Sequence, residues 1–182
     1  MAFKFNPTGI EGLTIIDSDK FGDKRGFFME TFRESLFFEG GIKAHFKQDN
    51  CSFSTKGVLR GLHYQLAPHT QGKLVRVVEG SIWDVALDIR KNSPTFGKWH
   101  GVELNEDNNL AFYIPPGFAH GFVVLSDAAL VIYKSTEEYK PESERGIRWN
   151  DPAVGIKWPT ENPKIAERDA NFPLLKDAEI LS

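Results

Sequence analysis

The chain has 182 residues, of which 41% are hydrophobic and 26% charged, and it carries a formal net charge of −3 at pH 7. A chain of this length can bury a sizeable core within one domain, and this composition is ordinary for a globular protein. Because the net charge is slightly negative, the chain has no general attraction for nucleic acid or an anionic membrane, and an anionic ligand must be bound by local arginine and lysine side chains. We therefore expect neither nucleic acid nor a membrane among its partners.

The expected location is the cytoplasm. Cys51 is the only cysteine, so no disulfide can form within the chain, which is typical of proteins of the reducing cytosol. The first residues, MAFKFNPTGIEGL, lack the continuous apolar core of a signal peptide, and no apolar run in the sequence is long enough to span a bilayer.

Short apolar runs separated by turn residues make up most of the chain. In chain order, they predict strands over residues 13–17, 26–32, 58–65, 101–104 and 111–115. One short helix is predicted before the last third of the chain, at Glu34–Phe38, because Gly40 and Gly41 stop it.

Two longer segments each contain a turn signal between strand-like arms. Residues 73–90 are broken at Glu79-Gly80-Ser81, which predicts a hairpin, and residues 122–134 repeat the pattern with Ser126-Asp127 at the turn. In the second arm of 73–90 alternate residues fall on two faces, one apolar and one carrying Asp84 and Asp88. This period of two indicates a strand with one wet or functional face.

The strand predicted at 58–65 contains polar side chains among apolar neighbours. Arg60 and His63 are three residues apart, so an ideal strand would point them to opposite faces, but Gly61 predicts a bulge that brings them together. Each candidate also has a structural interpretation when it is taken alone: a strand histidine is more often a hydrogen-bonded structural residue, Tyr133 more often belongs to a core, and Lys73 after Gln71-Gly72 more often lies in solvent.

Many short strands with turn residues between them predict an all-β fold, an antiparallel sandwich or barrel such as a jelly roll with a few short helices. From about residue 141 the chain is rich in proline, which favours an irregular segment that wraps the barrel rather than a second domain. We therefore expect residues 1–182 to form a single domain.

Several long motifs occur in a fixed order across nearly the whole chain. They are FGDKRGFFMETF (21–32), QDN (48–50), GVLRGLHYQ (57–65), QGKLVRVVEGSIWDVALDIRKNSPTFGKW (71–99), PPGFAHGF (115–122), WNDP (149–152) and ERDANFPLL (167–175). In these motifs the chain resembles the dTDP-4-dehydrorhamnose 3,5-epimerases, the sugar-nucleotide epimerases of the rhamnose pathway. The resemblance implies a cupin-like jelly roll, a homodimer, and conversion of dTDP-4-dehydro-6-deoxy-D-glucose to dTDP-4-dehydro-L-rhamnose.

The same motifs bear on metal binding. Metal-binding cupins typically carry an H-x-H pair and a carboxylate on one strand, and another histidine after a P-x-G turn. His120 follows Pro115-Pro116-Gly117 and fits the second half of this pattern, but Gln65 stands two residues after His63 and is a poor ligand. His69 lies in a polar loop. We therefore expect no metal and no other cofactor.

By resemblance, four residues carry the chemistry. An epimerisation next to a ketone needs a base, a positive group for the enolate, and an acid on the opposite face of the ring. His63 is the base, since its unperturbed pKa lies near neutrality, and Asp169 fixes its tautomer. Lys73 stabilises the enolate and contacts substrate, and Tyr133 returns the proton.

The remaining family positions imply substrate binding. They are Arg25, Glu30, Gln48, Asp49, Asn50, Arg60, His120, Glu144 and Arg168. Arginine suits the diphosphate because its planar group donates two hydrogen bonds at once, and Phe28 and Tyr139 are expected to stack on the thymine ring. Arg25 and Glu30 lie near the N-terminus, where a dimer partner could supply them. Arg168 stands where the family commonly has lysine, which changes the length and geometry of that contact.

Two other functions remain open at this point. A related epimerase could share the base and the acid but invert only one carbon of a dTDP-4-keto-6-deoxy sugar. A binding module on the same scaffold would need neither group, so the presence of both His63 and Tyr133 argues against it. Deuterium uptake distinguishes the three: two labelled carbons, one, or none.

Overall fold

The computed structural model describes residues 3–180, and its strands form two large sheets and one small hairpin. The strands are β1 (Phe3–Pro7), β2 (Thr14–Ser18), β3 (Lys20–Asp23), β4 (Gly26–Met29), β5 (Gln48–Thr55), β6 (Val58–Gln65), β7 (Lys73–Glu79), β8 (Ser81–Asp88), β9 (Trp99–Asn105), β10 (Leu110–Ile114), β11 (Phe118–Val124), β12 (Ala128–Ser135), β13 (Glu144–Gly146) and β14 (Lys164–Ile165). The helices are α1 (Glu34–Glu39) and α2 (Glu167–Ala170), with 3₁₀ turns at Pro141–Ser143 and Leu175–Asp177.

The first sheet has the order β1-β2-β10-β7-β12-β5, and the second has the order β13-β6-β11-β8-β9 with β14 beside β6. All neighbours in these sheets are antiparallel except β14, which runs parallel to β6. The β3–β4 hairpin stands apart from both sheets. This architecture confirms the predicted all-β, cupin-like jelly roll, and the predicted helix at Glu34–Phe38 is confirmed as α1. No helix within residues 3–180 has the length and apolar character needed to cross a bilayer.

The main core lies between the inner faces of the two sheets. The first sheet contributes Val75, Val77, Phe112, Ile114 and Val131, and the second contributes Ile82, Ala86, Leu104, Phe118 and Phe122. Alternation along each strand sends the other residues outward, where each sheet meets a further layer. Phe37 of α1 packs with Ile16, Leu74 and Tyr113 over the first sheet. The tail after residue 141 covers the second sheet with Ile147, Val154, Ile156 and Trp158.

Because the second sheet is covered on both faces, β8 has no wet face. Asp84 and Asp88 both have 0% of their surface exposed, on the inner face that also carries Ile82 and Ala86. Of the two alternatives predicted for this face, wet or functional, the wet one was therefore wrong. The period of two identified the faces correctly, but it carries no information about what covers each face.

The two predicted turns are present, but the strands beside them do not pair with each other. β7 belongs to the first sheet and β8 to the second, and the same holds for β12 and β11. At the first turn Gly80 has φ 80°, and a Cβ there would collide with the carbonyl oxygen of Ala128. The chain crosses from one sheet to the other at both places, so the hairpin prediction for residues 73–90 was wrong. Turn residues show where a chain reverses, but not whether its two arms share hydrogen bonds.

The predicted bulge at Gly61 is confirmed. His63 faces His120 across the ladder while Arg60 faces Phe122, so β6 uses one residue more than β11 over this interval. Gly61 has φ 124°, a conformation open to glycine, and a Cβ there would collide with the Cα of Gly121. The bulge turns Arg60 and His63 toward the same cavity.

Candidate active site

Two adjoining cavities of about 300 and 430 Å³ lie between the sheets. Four residues line both of them: His63, Lys73, Tyr133 and Glu144. His63 comes from β6 of the second sheet, whereas Lys73 and Tyr133 come from β7 and β12 of the first. An imidazole and a phenol thus approach one cleft from opposing sheets, with an ammonium beside the phenol. We call these two cavities the cleft.

His63 is held by a buried carboxylate. Its Nε2 lies 3.0 Å from Oδ2 of Asp169, and the Gly61 N–H donates to the same oxygen at 3.2 Å. Burial alone would raise the pKa of Asp169, but hydrogen bonds from His63, Gly61 and Arg168 hold it below its usual value. Because Asp169 is ionised, Nε2 of His63 carries the hydrogen and its Nδ1 keeps the lone pair. The bulge residue Gly61 therefore helps to orient the base: its backbone N–H holds Asp169, and Asp169 in turn holds the His63 ring.

Arg168 completes this corner of the cleft. Its Nε donates to Oδ1 of Asp169 at 3.2 Å, and its Nη1 donates to Glu144 at 2.7 Å. One terminal nitrogen also lies 3.3 Å from Nε2 of His63. The Nε2–H of His63 already donates to Asp169. The approach of the Arg168 nitrogen to Nε2 is therefore a contact and not a second hydrogen bond. The guanidinium thus joins the carboxylate behind the base to Glu144.

Lys73 and Tyr133 form the opposite wall. The Lys73 ammonium lies 6.0 Å from the centre of the Tyr133 ring and forms no hydrogen bond or ion pair within residues 3–180. Burial lowers the pKa of Lys73 to about 8, although Asp84 and Glu144 oppose this shift. Burial also raises the pKa of Tyr133. At pH 7 the wall therefore presents a charged ammonium and a protonated phenol.

A second histidine–aspartate pair lies behind the first. Nε2 of His120 is 2.6 Å from Oδ1 of Asp84, and both side chains are buried. His120 lines the larger cavity and is the cross-strand neighbour of His63. Burial lowers the pKa of His120, so its ring is neutral at pH 7. This pair could not be predicted from the sequence, because the two residues meet only through the register of β8 against β11, in which Phe122 faces Asp84.

The residues expected to bind substrate fall into two groups, apart from Arg168, which pairs with Glu144 and Asp169 beside the cleft. Those that line the cleft are Gln48, Asn50, Arg60, Lys73, His120, Tyr139 and Glu144. Around its mouth they are joined by hydrogen bonds: Gln48 donates to Asn50 at 2.7 Å and accepts from the backbone N–H of Tyr139 at 2.8 Å. The Tyr139 hydroxyl donates to Glu144 at 2.9 Å.

The second group lies away from the cleft in this chain. Asp49 points outward from β5 and pairs with Lys134 at 2.8 Å, because strand alternation sends it to the face opposite Gln48 and Asn50. Arg25 pairs with Asp23 at the tip of the β3–β4 hairpin, and Phe28 on the same hairpin is exposed. The structure does not bring Phe28 to Tyr139 within one chain.

Glu30 follows the hairpin and pairs with Arg33 through one carboxylate oxygen at 2.7 Å. Its other oxygen is buried and has no hydrogen-bond partner within residues 3–180. An acceptor in this state is ready for a donor from outside the described chain.

Gln65, at the position where metal-binding cupins carry a histidine, serves the fold. Its amide donates to the carbonyl oxygens of His69 and Glu138 and accepts from the Lys140 N–H at 2.8 Å. In the part of the chain from 3 to 180, no three His, Cys, Asp or Glu side chains form a group that could hold a metal ion.

Comparison with known proteins gives the cleft its context. The family described as dTDP-4-dehydrorhamnose 3,5-epimerase matches residues 7–177. The dTDP-4-dehydrorhamnose 3,5-epimerase of Shigella flexneri is 54% identical over 173 residues, which is 94% of this chain and 96% of the relative. A relative from Streptomyces niveus described as a dTDP-4-dehydrorhamnose 3-epimerase is 38% identical over 176 residues, which is 96% of this chain and 85% of the relative.

Solved structures agree in fold. The dTDP-6-deoxy-D-glucose-3,5-epimerase of Legionella pneumophila, solved in complex with dTDP-4-keto-L-rhamnose, superposes with a TM-score of 0.93 at 50% identity, covering 96% of this chain and 94% of that one. The sequence, the sandwich and the cleft thus lead to one conclusion: the chain belongs to the dTDP-4-dehydrorhamnose 3,5-epimerase family.

Proposed function

We propose that His63 and Tyr133 invert carbons of a dTDP-4-keto-6-deoxy sugar from opposite faces of its ring, with Lys73 stabilising the intermediate. The activity is that of a carbohydrate isomerase, a 3,5-epimerase that converts dTDP-4-dehydro-6-deoxy-D-glucose to dTDP-4-dehydro-L-rhamnose. The observation that carries the proposed roles is the placement of an imidazole and a phenol on opposing sheets of one cleft.

The first half of each inversion is removal of a proton. Nδ1 of His63 takes the proton from the carbon beside the C4 ketone, and the electrons of that C–H bond move to the ketone oxygen. The resulting imidazolium is stabilised by Asp169, which accepts its Nε2–H at 3.0 Å. The enolate oxygen is met by the Lys73 ammonium, which has no competing partner within residues 3–180. Preorganised charge of this kind commonly contributes a few kcal/mol, on the order of 3, to such a step.

The second half is return of a proton from the other face. Burial keeps the Tyr133 phenol protonated by raising its pKa, and it donates to the carbon as the enolate collapses to the ketone. A phenol is a weak acid, but the carbanion that it protonates is strongly basic. One proton has then moved onto His63 and one off Tyr133, and exchange with water restores both groups. The same pair acts at C3 and at C5.

Charges at the cleft mouth suit the diphosphate and the nucleoside. Arg60 lines the cleft and Arg168 pairs with the cleft residue Glu144, so both offer forked donors for phosphate oxygens. Glu144 and Asn50 offer groups for sugar hydroxyls and base edges. Tyr139 is 47% exposed, so its ring is free to stack on thymine.

The β3–β4 hairpin supports a homodimer. Phe27 and Phe28 each expose 62% of their surface and Phe21 exposes 49%, and a two-stranded sheet gains little stability by itself. We propose that the hairpin packs on a second copy and carries Arg25, Phe28 and Glu30 to the partner's cleft. Sedimentation should show a dimer for the wild-type chain and a shift toward monomer for Phe27→Ser. A wild-type monomer at micromolar concentration would exclude this arrangement.

Deuterium labelling tests the function and separates it from inversion at one carbon. In heavy water the enzyme should label both C3 and C5 of the sugar, whereas a single-position epimerase would label one. The greater identity to the 3,5-epimerase than to the 3-epimerase, 54% against 38%, supports labelling of both. A binding protein would label neither. The cytosol is the proposed location, where the exposed thiol of Cys51 would stay reduced.

A further inference from the structure

A phenylalanine from the C-terminal segment packs against the proposed base. The rings of Phe172 and His63 have centroids 5.7 Å apart and planes inclined by 85°, which is the edge-to-face arrangement that aromatic pairs favour. The centre of the Phe172 ring also lies 5.6 Å from the guanidinium carbon of Arg168. Phe172 thus contacts both the base and the arginine that approaches Nε2 of the base at 3.3 Å.

A glycine provides the space that this ring occupies. Gly146 of β13 is the cross-strand neighbour of His63 on β6. A Cβ at Gly146 would collide with the Phe172 ring, whose atoms are the three nearest to that position. The backbone of Gly146 does not have the positive φ that favours glycine, so the missing side chain here serves the ring and not the conformation of the strand.

The segment that carries Phe172 is itself fixed to the chain after β13. Nε of Arg148 donates to the carbonyl oxygen of Phe172 at 3.0 Å. Asp151 is buried, and its carboxylate accepts the Leu175 N–H at 2.7 Å. These contacts join the motifs WNDP and ERDANFPLL, so the Phe172 ring reaches His63 from a backbone that is held on both sides of it.

A hydrogen bond alone does not fix an imidazole ring. Asp169 holds Nε2 of His63 at 3.0 Å, but a ring that is held at one atom can still tilt, and tilting would swing Nδ1 away from the carbon that it must reach. A packing contact elsewhere on the ring removes this freedom. The rate depends on it, because a displacement of about 1 Å in an active site can cost on the order of 10²-fold.

We propose that Phe172 is a positioning residue for the base: packed into the space left by Gly146, it fixes the plane of the His63 ring and with it the direction of Nδ1. The proposal rests on the function given above, in which His63 removes the proton. It gives Asp169 and Phe172 complementary roles, since one fixes an atom of the imidazole and the other fixes its plane.

The first test is Phe172→Ala. At saturating substrate, kcat should fall by about tenfold, because the His63 ring gains freedom to tilt. KM should stay within about twofold of the wild-type value, because Arg168 keeps its hydrogen bonds to Glu144 and Asp169. An unchanged kcat, or a loss that appears only in KM, would overturn the proposal.

Gly146→Ala reaches the same defect by an independent route. The added Cβ should displace the Phe172 ring, so this variant should also lose about tenfold in kcat. In the double variant Phe172→Ala/Gly146→Ala no ring remains to be displaced, and kcat should stay near the value of either single variant. If the two losses multiplied to about 10²-fold, the residues would act independently and the proposal would be wrong.

Gly40 and Phe5 form a matched pair away from the cleft. A Cβ at Gly40 would collide with the Phe5 ring, which packs edge-to-face on Phe37 with centroids 5.4 Å apart. Phe5→Ala should therefore lower the melting temperature and leave kcat near the wild-type value. An equal loss of kcat in Phe5→Ala and Phe172→Ala would show that stability, not position, limits the rate, and would contradict the proposal. Absence of any epimerisation by the wild type would instead refute the proposed function.

A measurement on the wild type covers the case in which the substituted chains do not fold. In NMR spectra of protein with labelled phenylalanine and histidine, ring protons of Phe172 and His63 should show a mutual nuclear Overhauser effect, because the ring centroids are 5.7 Å apart. If this effect is absent in the folded protein, Phe172 does not hold the base and the proposal fails.

Discussion

The cleft and the β3–β4 hairpin carry the proposed site residues in opposite ways. In the cleft, neighbouring side chains hold the base and the groups around it: Asp169 and Arg168 act on the His63 side and Asp84 acts on His120. On the hairpin, Arg25 pairs within residues 3–180 only with Asp23, two residues away, and the phenylalanines face outward. The difference suggests a division of labour, in which proton transfer is built within one chain and part of nucleotide binding depends on what covers the hairpin.

The two regions also differ in how many neighbouring strands hold their side chains in place. The proposed catalytic side chains His63, Lys73 and Tyr133 stand on strands that have neighbours on both sides, β6, β7 and β12, whereas within the described residues β3 pairs with β4 alone. Proton transfer requires groups held to a fraction of an ångström, which a packed sheet can supply. Binding tolerates more adjustment. Variants in the cleft should therefore lower kcat, and variants on the hairpin should raise KM.

The largest effect is expected for His63→Ala. Removing a general base commonly costs about 10²–10⁴-fold in rate, and here deuterium exchange at both C3 and C5 should disappear while dTDP still binds. His45→Ala is the control, since His45 is exposed and pairs with Glu34 far from the cleft. Exchange at the wild-type rate in His63→Ala would show that another group removes the proton.

A smaller loss is expected for Tyr133→Phe. The substitution removes the acid but leaves the base, so proton removal should partly persist while net epimerisation falls by roughly 10²-fold. The ratio of exchange to epimerisation in heavy water measures the difference. Tyr113→Phe is matched to it, because Tyr113 is a buried tyrosine of β10 in the cluster around Phe37. Equal loss of exchange and epimerisation in Tyr133→Phe would contradict a separate acid.

Much of the cleft could be predicted because it lies on strands with strong apolar patterns. The alternation in β6 and the glycine within it predicted both the strand and the bulge that brings Arg60 and His63 together. β5 was missed, since its sequence QDNCSFST has no apolar face: Gln48, Asn50 and Ser52 line the cleft, and the alternate residues are exposed. A strand whose inner face is polar for function looks like a loop to any test of hydrophobic periodicity.

Contacts between distant segments could not be predicted from periodicity. His63 and Asp169 are far apart in the chain, and their pairing was predicted only from the resemblance to a family. The pairing of His120 with Asp84 was not predicted. Strand patterns fix the face of each residue, but pairing depends on which strands become neighbours. The same limit led to the wrong hairpin between β7 and β8.

The smallest effect is expected on the hairpin, for Arg25→Ala. Losing one charged hydrogen bond to the nucleotide should raise KM by about tenfold and leave kcat close to the wild-type value. Lys24→Ala, which removes the neighbouring charge at the hairpin tip, is the control and should change KM little. A fall in kcat as large as that of Tyr133→Phe would place Arg25 in the chemistry and break the division between the two regions.

Mixing variants decides whether the hairpin serves its own cleft or that of a partner. If Arg25 acts on the partner's cleft, a dimer of one His63→Ala chain and one Arg25→Ala chain contains one cleft with both defects and one with neither. Activity at low substrate concentration should then rise above that of either variant alone. If Arg25 serves its own chain, each cleft keeps one defect and mixing gains nothing. Because proton transfer needs only the groups within one cleft, the intact cleft of the mixed dimer should show the wild-type kcat. The KM defect of Arg25→Ala and the kcat defect of His63→Ala would then both fall on the other cleft.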